Sequence, residues 1–535
     1  MGFRYALLAW LFLSPLLAWT QEAGLPFLQN YLPRDYEAKA QNWAVVEDPR
    51  GLIYFANNDG VLEYDGVRWR TIPVANRSVV RSLALGQDGR IYVGAQEEFG
   101  YLEPGPDGLL QYASLTAGLP EEHRRFQDVW QTHATAEGIY FTTLGRLFRW
   151  RQGEPVRVWQ SETAFSSFWA GDTLYLSQAR QGLFRLNGES IERVPGGERF
   201  ASAGPWCLLE HPRGGLLAVT RDGVLLGERG AFVPQEHAAA EYVRRNQIFA
   251  CALLPDGTAA FGTVRGGVLL ADFAGAIRAI VDTGSGLQDP TVYALAPDRQ
   301  GGLWLALDRG VARVEIPSPL SYFDERTGAR AAPVAIARHA GRLYAADGLG
   351  VRVLTPGAGG RPARFIPVPG IAEQVWALLP QEGGLLAAAN GGVYLIRSGT
   401  SRLAYKGRVV LALAASRREP GVVYAGGLDG LVRLRPSSGW SAEPVGGIDQ
   451  VVDRIVEEAD GTVWLGKPFG DLLRLLPDAT VETFGAAAGV PDGAVRPFLI
   501  SDACCSLRTA VCCASSPADL SRKIAWGSCC RQACP

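Results

Sequence analysis

The residue types that most often catalyse reactions or bind metals are few and scattered in this sequence. Its histidines lie far apart along the chain, at His123, His133, His211, His237 and His339. None of them forms a His-Glu-x-x-His motif, and the chain contains neither a Gly-x-Ser-x-Gly nucleophile elbow nor a phosphate-binding loop. The sequence therefore predicts no catalytic residue, no metal site and no cofactor, and the protein is predicted not to be an enzyme.

Two acidic pairs, Glu97–Glu98 and Glu457–Glu458, come nearest to a general acid and base. Neighbouring residues of a β-strand point to opposite faces, so such a pair would not act together within a strand. Catalytic residues scattered over several structural repeats are the remaining enzymatic alternative.

The cysteines are distributed unevenly, with two in the main body and seven near the end of the chain. The body holds Cys207 and Cys251, and the end holds Cys504, Cys505, Cys512, Cys513, Cys529, Cys530 and Cys534. Adjacent Cys-Cys doublets without histidine do not have the spacing of a structural zinc site. We expect residues 501–535 to be a Cys-rich tail that is frameshifted and non-native, with a disulfide-bonded module as the alternative.

Polar residues in short loops are the candidates for binding a ligand. Loops carry a large share of binding residues, although they are also polar simply because they contact water. The candidates are Asn57, Asn58, Asp59, Gln96, Glu97, Asn246, Gln247 and Asn390.

The elements that must position these loops repeat along the chain. Asp-Pro-Arg-Gly-Leu-Ile-Tyr at 48–54 returns as Asp-Gly-Arg-Ile-Tyr at 88–92 and as Gln-Gly-Gly-Leu-Trp at 300–304. The corresponding turn glycines recur from Gly51 to Gly461 with a mean spacing of about 41 residues. This period is typical of the four-stranded blades of a β-propeller.

Within each repeat the pattern is that of short antiparallel strands. Alternating apolar residues such as Val292-Tyr-Ala-Leu-Ala indicate a first strand, and a glycine turn leads into a second. No amphipathic helix of useful length is expected. We predict an all-β fold of β-propeller repeats, with one seven-bladed ring over 23–330 and an incomplete second ring over 331–500.

An aromatic residue recurs on the second strand of most repeats. Its fixed place favours packing between adjacent blades over sugar stacking. The residues concerned are Tyr54, Tyr92, Tyr140, Tyr175, Trp304, Tyr344, Tyr424 and Trp464.

The beginning of the chain predicts export. Arg4 precedes an apolar stretch from Ala6 to Trp19, followed by small or polar residues, which is typical of a signal peptide over residues 1–22. The stretch is shorter than the roughly 20 apolar residues of a membrane span. We expect a periplasmic or secreted protein without a membrane span in its mature chain. The net charge of −2 does not indicate a nucleic-acid-binding surface.

The repeats resemble the two-component regulator propeller repeat. The resemblance rests on an Asp-x-x-Gly-x-Ile/Leu-Trp/Tyr pattern followed by Gly-Val/Leu, in eleven copies over roughly residues 25–495. Segments 41–46, 57–66 and 94–102 are similar to the first blades of those receptors. The family resemblance implies two seven-bladed propellers, a β-sandwich, a membrane helix and a cytoplasmic output module, with dimerisation through domains that this sequence lacks.

We therefore expect a C-terminally truncated, exported sensor region of a bacterial two-component receptor, without the membrane helix and output module. Its expected partner is an extracellular small molecule, with saccharides among the candidates, or a protein. The alternatives are a secreted propeller enzyme, such as a polysaccharide lyase or hydrolase, and an extracellular protein-interaction scaffold.

Overall fold

The fold is described from a computed structural model that covers residues 22–228, 230–437, 439–488 and 490, together with strands 497–500, 503–507 and 510–512. The chain divides into two compact units. One contains Ala23–Tyr322 and Gly357–Pro362, and the other contains Phe323–Pro356 and the residues from Ala363 onward. We call them the first and the second unit.

The first unit is built from seven four-stranded antiparallel sheets. Its strands are β1 (Leu28–Tyr31), β2 (Asn42–Glu47), β3 (Ile53–Asn57), β4 (Gly60–Tyr64), β5 (Trp69–Ile72), β6 (Val80–Leu85), β7 (Ile91–Ala95), β8 (Glu98–Pro104), β9 (Leu110–Ser114), β10 (Gln131–Thr135), β11 (Gly138–Thr142), β12 (Arg146–Trp150), β13 (Arg157–Gln160), β14 (Phe165–Ala170), β15 (Thr173–Gln178), β16 (Gly182–Asn187), β17 (Ser190–Arg193), β18 (Cys207–Glu210), β19 (Leu216–Thr220), β20 (Gly223–Glu228), β21 (Ala231–Gln235), β22 (Ile248–Leu253), β23 (Ala259–Thr263), β24 (Val268–Ala271), β25 (Ile277–Val281), β26 (Val292–Pro297), β27 (Gly302–Leu307) and β28 (Gly310–Glu315).

These sheets form a closed ring. The innermost strands β2, β6, β10, β14, β18, β22 and β26 are neighbours in that order, and β26 lies beside β2. The seventh sheet has the order β1-β28-β27-β26, so the first strand of the chain supplies its outermost strand. In that pairing Leu28 lies opposite Val314 and Tyr31 opposite Val311. The predicted all-β propeller fold is confirmed.

The second unit repeats the same design in four four-stranded sheets and one three-stranded sheet. Its strands are β29 (Ala335–His339), β30 (Arg342–Asp347), β31 (Gly350–Thr355), β32 (Arg364–Pro367), β33 (Val375–Gln381), β34 (Gly384–Ala389), β35 (Gly392–Arg397), β36 (Thr400–Lys406), β37 (Val410–Ala415), β38 (Val423–Gly427), β39 (Gly430–Pro436), β40 (Trp440–Pro444), β41 (Arg454–Glu457), β42 (Val463–Gly466), β43 (Leu472–Leu475), β44 (Val481–Phe484), β45 (Pro497–Ile500), β46 (Ala503–Leu507) and β47 (Ala510–Cys512).

Two predicted segments reach beyond the described residues. The predicted signal peptide lies outside them, except for residue 22. Of the predicted tail, the described part is the pair of strands β46 and β47, which follow β45 in one sheet.

The repeated turn motif has a physical explanation in the first hairpin. A carboxylate oxygen of Asp48 accepts hydrogen bonds from the backbone N–H groups of Arg50 and Leu52, at 2.8 and 3.0 Å. In the seventh sheet, Asp298 accepts the same two bonds from Gln300 and Gly302. The side chain thus satisfies the donors that a tight turn leaves free, which is why the Asp recurs at this place.

Aromatic side chains of the second strands pack between adjacent sheets, as predicted. Tyr54 is fully buried in one cluster with Val80 and Val93 of the next sheet. Trp304 of the seventh sheet packs with Phe55 of the first, so this packing also closes the ring. Burial raises the pKa of Tyr54 well above its ordinary value.

Among its described residues, the first unit contains one α-helix longer than a single turn, so the expectation of no amphipathic helix of useful length is wrong. The α-helices are α1 (Pro33–Tyr36) and α2 (Ala238–Asn246), and short 3-10 turns span Thr116–Gly118, Glu121–His123, Gly197–Ala201, Thr283–Ser285, Glu325–Thr327 and Ala486–Ala488. The ring of His237 caps α2 by accepting a hydrogen bond from the N–H of Ala240 at 3.0 Å. Ala239 and Val243 of α2 are buried in the core.

Candidate ligand-binding site

β-Bulges at one end of the ring present side chains to its central channel. The pairing of β2 with β3 shifts register between Asn42 and Ala44, and the extra residue is Trp43. The same shift occurs at the corresponding place in three more sheets of the first unit. There the extra residues are Arg81, Phe249 and Tyr293. A bulge re-aims a side chain that would otherwise follow the alternation of the strand.

Two further sheets place tryptophans at the equivalent positions, and one sheet does not. Trp130 precedes β10 and donates its backbone N–H to Thr142, and Trp206 precedes β18 and donates to Val219. In the fourth sheet, β14 to β17, the innermost strand pairs without a register shift, with Ser166 opposite Ser177, and so has no extra residue. Six of the seven sheets thus contribute an aromatic ring or a guanidinium to the channel mouth.

These side chains contact one another in an open arc. Trp43 stacks on Tyr293 with 4.6 Å between ring centroids, and Tyr293 contacts Phe249 at 4.8 Å. Phe249 in turn contacts Trp206 at 5.5 Å. On the other side, the guanidinium of Arg81 lies 4.2 Å from the ring of Trp43 and 4.8 Å from that of Trp130. We call this set of six side chains the aromatic arc.

The aromatic arc surrounds a cavity of about 700 Å³, which we call the central cavity. Its volume falls within the range of about 300–1,000 Å³ that is usual for small-molecule sites. Ser166 and His133 also line it. Flat aromatic faces with a few polar groups among them are typical of such a site.

Arg81 and Asp128 supply polar chemistry beside the aromatic arc. The Nε atom of Arg81 lies 3.5 Å from a carboxylate oxygen of Asp128. That nitrogen and the Oδ1 atom of Asp128 are buried, and neither has a hydrogen-bond partner in the described structure. A buried polar atom without a partner costs free energy, so this pair can gain from additional polar contacts.

His133 and Tyr293 are uncharged groups in the wall of the central cavity. His133 shares a hydrogen bond of 2.9 Å with the hydroxyl of Ser167, which bonds to Thr142 at 2.6 Å. Burial lowers the pKa of His133 to about 4. For Tyr293, burial and its hydrogen bond to Asp308 raise the pKa.

A hydrogen-bond network fixes Trp43 in the aromatic arc. Its indole N–H donates to the side-chain oxygen of Asn58 at 2.8 Å, and the amide of Asn58 donates to Gln41 at 3.3 Å. Gln41 donates to Asp308 at 2.7 Å, and Asp308 also accepts from Tyr293 at 3.0 Å. Two rings of the arc are therefore held through one shared set of polar groups.

The second unit contains the same local arrangement. The pairing of β33 with β34 shifts register between Val375 and Ala377, so Trp376 is the extra residue. Its indole N–H donates to the side-chain oxygen of Asn390 at 2.9 Å. Asn390 thus corresponds to Asn58, and both stand directly after the second strand of their sheet.

None of the eight predicted ligand-binding residues, all within the described structure, lines the central cavity. Asn57 is buried and its amide donates to Lys39, Gln41 and Asn42. Asp59 binds the backbone N–H and the ammonium group of Lys39. These contacts stabilise the turn in which the two residues lie.

The remaining predicted residues of the first unit lie in two other loops. Gln96 and Glu97 are exposed, and the backbone of Gln96 forms a bridge with Asp128, which brings this loop next to Arg81. Asn246 ends α2 and donates to the carbonyl of Tyr242, while Gln247 is exposed.

A disulfide bond joins Cys207 and Cys251 in the wall of the central cavity. The two residues lie on β18 and β22, the innermost strands of neighbouring sheets, with 5.8 Å between their Cα atoms. Cys207 directly follows Trp206, and Cys251 lies two residues after Phe249. The bond therefore links the two strands that carry one end of the aromatic arc.

Sequence reasoning missed the aromatic arc because it searched polar loops and the aromatic residues of the second strands. The available signal was an aromatic residue at the start of the first strand. It stands in Asn42-Trp-Ala-Val, Val129-Trp-Gln-Thr, Ile248-Phe-Ala-Cys, Val292-Tyr-Ala-Leu and Val375-Trp-Ala-Leu.

The closed ring of four-stranded antiparallel sheets makes the first unit a β-propeller, with a ligand-sized cavity at one mouth of its channel. The chain is similar to the extracellular domain of the putative hybrid two component system BT3049 from B. thetaiotaomicron, with 15% identity and a TM-score of 0.67. The match covers 92% of this chain and 71% of that one. The resemblance to receptor propellers is thereby confirmed at the level of the fold.

Two further similar structures have lower TM-scores. The extracellular domain of the system BT4673 from B. thetaiotaomicron matches with 16% identity and a TM-score of 0.44, over 92% of this chain and 72% of that one. A streptogramin B lyase matches with 12% identity and a TM-score of 0.41, over 54% and 97%. No protein-family model and no curated protein matches the chain. Among the residues that the structure covers, no helix is long and apolar enough to cross a membrane.

Proposed function

We propose that the first unit binds an extracellular small molecule at the aromatic arc, and that the chain is the sensing region of a bacterial two-component receptor. The observation that carries this proposal is the convergence of six bulky side chains from six sheets on one cavity of about 700 Å³. The fold shared with the extracellular domain of BT3049 supports the receptor part of the proposal.

The chemistry of the aromatic arc favours a ligand with flat apolar faces and polar edges, such as a saccharide. Aromatic rings supply large rigid contact areas, and Trp43, Trp130 and Trp206 face the same cavity. Arg81 lines the same cavity and can donate to hydroxyl or carboxylate groups of the ligand.

The ionisable groups around the central cavity favour binding over acid–base catalysis. Its described lining contains Arg81, His133 and Tyr293 as ionisable side chains. The lowered pKa of His133, about 4, and the raised pKa of Tyr293 keep both groups uncharged near neutral pH. An efficient general acid or base has a pKa near the working pH. We therefore propose a binding site without turnover.

The disulfide supports a periplasmic or secreted location. Disulfides form and persist in oxidising compartments and are rare in the cytosol. The bond between Cys207 and Cys251 fits this pattern. In a receptor, a ligand that binds one state of the sensor more tightly would shift the population towards that state.

Thermal unfolding with and without saccharides tests the proposal. The probes are neutral cello-oligosaccharides and acidic oligogalacturonates, each added to the purified chain. A ligand present at 100 times its Kd stabilises the folded protein by about 2.7 kcal/mol and so raises Tm. Trp43→Ala should abolish this rise, because it removes the ring that contacts both Tyr293 and Arg81.

Trp376→Ala is the matched control, since Trp376 has the same bulge and the same asparagine contact in the second unit. It should leave the ligand-induced rise in Tm unchanged. The proposal fails if neither series raises Tm, or if both substitutions abolish the rise equally. Formation of a shortened or unsaturated product would favour a propeller enzyme instead.

A further inference from the structure

We infer that the ligand site continues outward from the central cavity through a gap at the fourth sheet, and that it takes an extended chain with an acidic group at its outer end. This inference rests on the proposed ligand-binding function and adds the shape and charge of the ligand. It concerns the rim between the third sheet, β10 to β13, and the fourth sheet, β14 to β17.

The rim of the central cavity is low at the fourth sheet because β14 presents no extra residue there. β14 pairs with β15 without a register shift, with Phe165 opposite Gln178 and Ser166 opposite Ser177. The aromatic arc is therefore interrupted between Trp130 and Trp206. An object longer than the central cavity can therefore leave it on this side.

A second cavity begins where the aromatic arc is interrupted. It has a volume of about 470 Å³ and is formed by the loops of the third and fourth sheets, and we call it the outer cavity. Leu144 and Ala164 line both cavities, so the two adjoin at these residues. Each cavity alone has a volume within the range of about 300–1,000 Å³ that is usual for a single ligand. A ligand that fills both cavities therefore needs at least two linked units, one for each cavity.

Apolar surface marks the path between the two cavities. Leu144 is 43% exposed, and Trp169 of β14 is 39% exposed and lines the central cavity. Isolated exposed apolar residues are common on protein surfaces. Here, however, Leu144 lies where the two cavities meet, so a ligand that fills both would cover it, and Trp169 offers apolar surface within the central cavity.

The outer cavity carries excess positive charge. Arg125 and Arg146 line it together with one carboxylate, that of Glu162. Arg146 donates to the backbone carbonyls of His123 and Arg125, which fixes its guanidinium at the wall. Arg125 is exposed and forms no ion pair with the described residues. A guanidinium binds carboxylates through paired hydrogen bonds, so this end of the path suits an acidic group.

Titration calorimetry with galacturonate, digalacturonate and tetragalacturonate tests the inference on the complete chain. The tetramer should bind at least about tenfold more tightly than the monomer, because it alone reaches the outer cavity. Arg125→Ser should reduce this advantage to about threefold or less while the Kd of the monomer stays the same. Leu144→Glu should also reduce the advantage of the tetramer, since it places a negative charge where the two cavities meet.

Arg151→Ser is the matched control. Arg151 is an exposed arginine in the turn between β12 and β13, at the opposite end of the same sheet, and pairs with Glu154. Its loss removes the same charge from the protein and should not change the advantage of the tetramer.

The outcomes separate this inference from the proposed function. Equal affinity for all three lengths would overturn the inference alone, and so would an equal effect of Arg125→Ser and Arg151→Ser. If none of the three compounds bound while a neutral cello-oligosaccharide raised Tm, the inference of an acidic ligand would be refuted and the proposed function would stand. Absence of binding by every saccharide would overturn both.

Discussion

At the scale of single residues, the wall of the central cavity combines contacts that fix aromatic rings with a histidine held in its neutral form. His133 shares a hydrogen bond with Ser167 and lines the central cavity. Burial lowers its pKa from 6.5 to about 4. The folded protein therefore binds fewer protons at this position than the unfolded chain between these two pH values.

We expect the first unit to lose stability as the pH falls from about 6.5 towards 4. The unfolded state takes up the proton in this range, whereas the folded state excludes it. The contribution of His133 is about 1–3 kcal/mol. Urea unfolding at pH 7 and at pH 4.5 measures it, and His133→Gln should flatten the difference between the two. An unchanged difference would contradict the assignment.

The sequence pointed to polar loop residues, whereas the proposed ligand site is formed mainly by aromatic side chains. The polar residues Asn42 and Asn57 lie opposite each other in the first sheet. Asn58 and Asn390 were expected to contact ligand, and in the structure each holds a tryptophan. A period-two pattern cannot show a bulge, because the bulge is the one residue that breaks the alternation.

At the scale of elements, tight connections to the third strand require glycine for two separate reasons. Gly60, which opens β4, has φ +139°, and a Cβ built on it would lie 2.4 Å from the carbonyl oxygen of Ile72. Gly223, which opens β20, has the same φ but no atom within 4 Å of such a Cβ. A comparison of substitutions at these two glycines therefore distinguishes the effect of backbone strain from the effect of steric exclusion.

Gly223→Ala should lower the free energy of unfolding by about 1 kcal/mol, through the unfavourable positive φ alone. Gly60→Ala should cost about 3 kcal/mol, because the new methyl group must also displace the backbone of the fourth strand. Chemical denaturation of both variants measures the difference. Equal losses would show that the contact with Ile72 relaxes freely.

The strand order within each sheet could be predicted from local patterns, whereas α2 could not. Each sheet of the first unit from β2 to β25 pairs consecutive strands joined by short turns. Alternating apolar residues on both sides of a turn glycine indicate such pairs directly. Helix α2 has nine residues and begins at a histidine cap. That length gives little periodicity, and histidine is not among the residues that usually signal a helix start.

At the scale of the whole ring, the first unit depends on a contact between the two ends of its sequence. Tyr31 of β1 stacks on Trp304 at 5.6 Å and contacts Tyr64 and Trp69 at 5.4 Å. Its hydroxyl lies 3.3 Å from that of Tyr64. The strand that completes the seventh sheet is thus also packed against the first sheet.

Tyr31→Ala should lower the free energy of unfolding of the first unit by about 3–5 kcal/mol, because it removes a buried aromatic ring at the closure. Tyr31→Phe is the control, since it keeps the ring and loses only the hydroxyl contact, at a cost of about 1 kcal/mol. Denaturant unfolding followed by tryptophan fluorescence measures both. Equal losses in the free energy of unfolding would show that the packing of Tyr31 does not hold the propeller ring closed.

The closure could not be predicted from the repeat pattern. Residues 28–31 contain no turn glycine or alternating apolar motif, and their partner strand lies far away in the sequence. Local patterns carry no information on such a pairing, whereas the period of about 41 residues does report the series of sheets.

The pairing of Tyr31 with Val311 also sets an order of events during synthesis. The two residues are 280 positions apart, and ribosomes add about 5–20 residues per second, so β1 waits about 15–55 s for its partner strand to be made. During that time its hydrogen-bonding groups face water, as those of an unprotected edge strand do. The earliest strand of the ring is therefore the last to find its place, and a nascent chain halted before Val311 cannot close the ring at all.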